Sequence, residues 1–136
     1  MARAPLQDRV AELAADVLDS FEKLDVILRL DRATSPVALD TLVAELAIAK
    51  LELVAAIDEL VVDGVVRGGT TGYELRRDGK WAEHVRALVE LHRTDRMEVV
   101  TLMSKASVER LRQQAARAFA DAFIVRTPKK KGDGDG

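Results

Sequence analysis

Cysteine is absent from this chain. Disulfides and thiolate chemistry are therefore excluded, no oxidising compartment is required, and a cytoplasmic home is expected. Aromatic residues are scarce, at one Trp, one Tyr and three Phe, so aliphatic side chains and alanine must fill the core. That composition suits helix-on-helix packing. No uninterrupted apolar run approaches the roughly 20 residues that span a bilayer, and no membrane partner is expected. The opening residues, Met1 to Arg9, lack the apolar centre of a secretory signal. A large charge excess is also missing. A formal charge of −2 argues against a chain that coats nucleic acid by bulk positive charge. What is present is a globular profile: 48% hydrophobic and 32% charged residues over 136 positions, which predicts one domain with a feasible core.

Hydrophobic spacing predicts mostly helices. Pro5 suits a first helical turn, and Val10, Leu13, Ala14, Val17 and Leu18 repeat at helical intervals. Ser20 is a candidate cap for a second helix bearing Phe21, Leu24, Ile27, Leu28 and Leu30, with Lys23 in place of the capping-box Glu. Asp31 to Pro36 reads as a loop. The centre of the chain is Leu39 to Arg77. Leu39, Leu42, Val43 and Leu46 share one helical face, and Leu53, Ile57 and Leu60 share another. Gly64 ends the second of these helices, because glycine takes the left-handed conformation cheaply. Val65-Val66-Arg67, the turn cluster Gly68-Gly69-Thr70-Thr71-Gly72, and Tyr73-Glu74-Leu75-Arg76 then predict a small hairpin. A mainly α fold with a small β-hairpin is expected.

Helix, helix, strand, glycine-rich tip, strand is the order of a winged helix-turn-helix. Ile57 to Val66 resembles the end of a recognition helix running into a wing, as in bacterial regulators of the multiple-antibiotic-resistance and arsenic-repressor types. The resemblance covers about residues 20–80. Phe119-Ala120-Asp121-Ala122-Phe123 is similar to the closing segment of a group of small bacterial winged-helix proteins. The likeness implies a DNA-binding transcriptional regulator that docks Lys50 to Asp63 and the wing onto double-stranded DNA. It also implies a homodimer paired through the amino-terminal and carboxy-terminal helices, by two-fold burial of one patch against its copy. The alternative is that the long apolar stripes fold back on the core.

After the hairpin, Trp81, Val85, Leu88, Val89 and His92 fall on one side of a helix. Thr94 is a candidate cap for the next, with Met97 and Met103 read as core, and Ser107 for the last, which carries Val108, Leu111, Ala115, Phe119, Ala122 and Phe123. Residues 1–126 are expected to form the domain, with flanking helices around the winged core. Residues 127–136 are Pro, Lys and Gly/Asp without apolar content and are expected to be a disordered basic tail.

The chemistry of the reading face departs from the family. With Leu53, Ile57 and Leu60 inward, the outward positions are Glu52, Val54, Ala55, Ala56, Asp58, Glu59 and Asp63, with Lys50 at the start. Residues 36–66 hold Lys50 and six acids, a net charge of −5. Affinity for DNA is mostly cationic, so each acid facing a phosphate adds repulsion. Positive charge lies in the wing instead, at Arg67, Arg76, Arg77 and Lys80, where it can track a phosphate backbone. The nucleic-acid contacts expected are therefore Lys50, Arg67, Arg76, Arg77 and Lys80. An alternative function is a protein-interaction module that has lost DNA reading and docks through Glu52, Ala55, Ala56 and Glu59. His84 and His92, eight apart, lack the i, i+4 spacing and completing ligand of a metal site. Spacing supplies no catalytic set, so neither an enzyme nor a cofactor is expected.

Overall fold

The structure is a computed structural model that describes the backbone of residues 4–134 and the side chains of residues 6–122. It is mainly helical, with one small antiparallel hairpin. The order is α1 (Ala4–Asp16), α2 (Phe21–Arg32), α3 (Leu39–Leu46), α4 (Lys50–Val62), β1 (Val66–Gly69), β2 (Gly72–Leu75), α5 (Ala82–Thr94) and α6 (Arg96–Gly134). No helix among the described residues is long and apolar enough to cross a membrane. The expectation of a tail over residues 127–136 falls outside the described side chains.

One hydrophobic core joins the whole body. The stripe of α1 and the turn after it, Val10, Leu13, Ala14, Val17 and Leu18, is buried. It packs against α5 and the first part of α6, where Val85, Leu88, Val99 and Met103 face it. Leu24, Val26, Ile27 and Leu30 of α2 meet α4 and β2 on the other side. The N-terminal helix therefore folds back on its own chain, and its apolar face is not available for pairing with a second copy.

The helix ends follow local chemistry. Ser20 caps α2 by accepting the Lys23 N–H at 3.2 Å. Helix α4 ends in a double backbone bond, Val65 N–H to Leu60 carbonyl and Gly64 N–H to Val61 carbonyl, with Gly64 at φ +84°. Only glycine enters that conformation without steric cost, which is why the helix stops there. Ala47 adopts the same left-handed region, at φ 56°, between α3 and α4.

Two expected caps move. Asp95, not Thr94, caps α6 by accepting the Glu98 N–H at 3.2 Å, while the Thr94 hydroxyl donates back to Glu90 and Leu91 carbonyls. Ser107 starts no helix. Nothing before it breaks the backbone, so α6 runs through it without a stop. Met97, expected in the core, is 66% exposed, whereas Met103 is buried.

The hairpin pairs Val66 with Leu75, Arg67 with Glu74, Gly68 with Tyr73 and Gly69 with Gly72. The strands thus run into the glycine cluster, leaving Thr70 and Thr71 as the tip. Val37 adds a single bridge on the other side of β2. Its N–H and carbonyl exchange two bonds of 2.9 Å with Tyr73. Gly72 permits this, since a Cβ there would lie 2.4 Å from the Val37 carbonyl oxygen.

Candidate functional site

Helix α4 is the element with the most unusual surface. Its inward face is Leu53, Ala56, Ile57 and Leu60, all buried. Three of these were expected there. Ala56 was expected outward, but a residue four before Leu60 and three after Leu53 shares the core side, and it is 6% exposed. Ala55 and Glu52 are exposed as expected. The outward stripe is then Leu51, Ala55, Asp58 and Val62, at offsets of four, three and four. Leu51 is 85% exposed and Val62 is 84% exposed. Large apolar side chains at such exposure have no packing role within the chain. Sequence reasoning passed over both, although each is an apolar residue out of phase with the inward stripe.

Acids frame this stripe. A groove of about 360 Å³ runs between α2 and α4, lined by Asp19, Glu22, Lys23, Glu52, Ala55 and Glu59 among others. Lys23 is buried at its floor. Its ammonium donates to Glu59 Oε1 at 2.5 Å and to the Val17 carbonyl at 3.4 Å, and pairs with Asp19 Oδ1 at 2.8 Å. Burial works to lower the Lys23 pKa, but hydrogen bonds and charge from Asp19 and Glu59 outweigh it and hold the group above the ordinary lysine value. Lys23 thus stays charged and neutralises two of the carboxylates. Glu52 and Asp58 remain on the exposed side of α4, with no ion pair among the described residues.

The expected nucleic-acid contacts are split. Lys50 opens α4 and is exposed, while Arg67 follows the other end of that helix. Roughly 18 Å of acidic and apolar helix surface separates the two ends. Each hairpin arginine faces an acid. Arg67 Nε lies 3.4 Å from Glu74 Oε2, its cross-strand partner. Arg76 lies 3.5 Å from Asp78. Arg77 donates to Asp31 Oδ1 at 2.9 Å and to the Asp31 carbonyl at 3.2 Å, tying the hairpin to the end of α2. Lys80 sits over the Trp81 ring, 5.1 Å from its centre.

No known family, curated protein or solved structure matches the chain.

The histidines lie elsewhere. His84 Nε2 is 2.8 Å from Glu12, across the α1–α5 contact, and its ring meets Trp81 edge-on at 4.7 Å. Burial presses the His92 pKa down, the Arg96 charge adds to this, and Asp25 opposes it. Burial raises the Asp25 carboxyl, the Glu22 charge adds to this, and His92 offsets it. Among the described residues no three His, Cys, Asp or Glu side chains gather as a metal set.

Proposed function

We propose that residues 21–75 form a winged helix-turn-helix core that works as a protein-interaction module, with the outward side of α4 as its docking face. The order α2, α3, α4, β1, β2 supports the winged reading, and the Val37 bridge ties the segment between α2 and α3 to the hairpin. In a DNA reader, α4 would occupy the groove. Its outward side carries Leu51, Ala55, Asp58 and Val62, with Glu52 and Glu59 beside them and one cation, Lys50, at the tip.

The observation that carries the proposal is the exposure of Leu51 and Val62 among acids. Burying two aliphatic side chains against a partner is favourable by about 25 cal/mol per Å² of apolar surface. The surrounding carboxylates select a partner with basic residues beside its own apolar ones, and they repel phosphate. The partner class is therefore a basic, apolar protein surface.

The experiment replaces Leu51, and separately Thr70 in the hairpin tip, with a photo-crosslinking residue in the full chain. The proposal expects protein adducts from position 51 that vanish when Val62→Asp is added, and none from position 70. DNA adducts from both positions would refute it.

A second reading, a DNA-binding regulator, is favoured by one observation. Arg67 is exposed in a surface ion pair with Glu74, and such pairs contribute little, so its guanidinium can turn to a phosphate. The same adducts decide between the two.

A further inference from the structure

We propose that the partner of α4 is an amphipathic helix that lies along Leu51, Ala55, Asp58 and Val62 and sets a lysine or arginine against Asp58. The inference rests on the reading of α4 as a docking face, and it adds the shape and register of what docks there. Helix α4 has two opposite faces. At about 100° per residue, Leu53, Ala56, Ile57 and Leu60 centre on one side, and Leu51, Ala55, Asp58 and Val62 centre about 180° away. The first set is buried and holds the helix on the core. The second is exposed along its whole length.

Steps of four, three and four make the outward set a coiled-coil seam, which meets a facing helix whose side chains repeat at the same interval. Leu51 and Val62 are its apolar ends. Ala55 leaves room between them for a larger side chain of the partner. Asp58 is the polar member, and it has no ion pair among the described residues. A carboxylate covered by an apolar side chain loses its water without compensation. The seam therefore rejects a wholly apolar helix and accepts one with a cation at that place. A single polar pair within an apolar seam also fixes the register of the two helices.

The two flanks of the seam differ. On the α2 side stand Glu52 and Glu59, seven apart and so in one column, with Glu22 across the groove between the helices. Lys23 holds Glu59, while Glu52 and Glu22 have no ion pair among the described residues. On the other side lie Val54 and Val61, also seven apart, and Val61 is 39% exposed. Flanking charges choose the partner of such a seam, so the occupant carries cations on one flank and apolar side chains on the other. The contact is short. Helix α4 has 13 residues. That gives a footprint roughly 20 Å long and 10–12 Å wide, well below the about 800 Å² per partner of a stable complex. The partner therefore binds transiently.

The full chain and synthetic peptides give a direct test. The probe is a helical peptide of about two heptads, with leucine at three seam positions, lysine at the one facing Asp58, and lysines along one flank. Its comparisons are the same peptide with glutamate in place of the seam lysine, and a scrambled peptide of the probe's composition. Fluorescence anisotropy should show the probe binding about tenfold or more tightly than either. Asp58→Lys should weaken the probe by about tenfold and restore the glutamate peptide, with unchanged circular dichroism. Leu51→Asp should weaken both. Equal binding of the scrambled peptide, which bulk charge alone would produce, overturns the proposal. So does a preference that survives Asp58→Lys, or no binding of the probe. If position 51 crosslinks to protein while the probe does not bind, α4 stays a docking face and only the helical partner falls. If position 51 gives no protein adducts either, the reading of α4 falls with it.

Discussion

Lys23 on α2 and Glu59 on α4 stand 36 positions apart in sequence and 2.5 Å apart in the fold. The bond fixes how α4 is rotated against α2, and so which of its side chains face outward. Glu59 is 63% exposed and Asp19 is 46% exposed, so both can be hydrated without Lys23, whose own stem is buried. The stem should therefore matter more than the charge. Lys23→Met should change stability by no more than about 1 kcal/mol, whereas Lys23→Ala should cost about 2 kcal/mol through lost packing. Urea denaturation of the two variants checks the contrast. Above the ordinary lysine range the wild-type chain should also lose stability, since a raised pKa contributes only while the group is protonated.

Gly72 is the tightest point of the hairpin. Its φ of +139° and the Val37 carbonyl, 2.4 Å from a built Cβ, leave no room for a side chain. Gly72→Ala should cost about 2–4 kcal/mol and free the Val37 rung. Hydrogen exchange at the Val37 and Tyr73 amides should accelerate together.

Ala47 holds a left-handed conformation with a Cβ present. That conformation costs an L residue roughly 1–2 kcal/mol, and glycine escapes it while losing some chain entropy. Ala47→Gly should stabilise the chain by about 0.5–1 kcal/mol, seen as a higher melting temperature.

His92 titrates below the ordinary 6.5 of histidine, because burial and Arg96 disfavour its charged form. The unfolded chain then binds the proton more readily than the folded one. Stability at this site is full above about 6.5 and declines as pH falls toward the lower folded value. His92→Gln should flatten that decline in urea midpoints measured across the range.

The inward set Leu53, Ile57 and Leu60, the Gly64 stop, the Ser20 cap and the hairpin were all legible, because each depends on spacing or on one residue's conformational preference. The Val37 rung was not. It depends on a partner 36 positions away and on the missing Cβ of Gly72. The extent of α6 was misread at Ser107, since a serine caps a helix only where the chain has already broken. On the candidate site, the acidic character of α4 was visible in its composition, but its apolar centre was not. Leu51 and Val62 lie between segments of the pattern, and Ala56 took a place on the face that the core in fact holds. The pairing of Arg77 with Asp31 joins residues 46 apart, beyond any local signal.

The most direct measurement is a titration of the full chain with mixed duplex DNA at low salt, followed by nuclear magnetic resonance of the α4 and hairpin amides. Amides of Leu51, Ala55, Asp58 and Val62 should stay unmoved by DNA and shift when a helical lysine–leucine peptide is added. Shifts at Lys50 and Arg67 on adding DNA, fading with salt and lost in Arg67→Ala, would contradict the account.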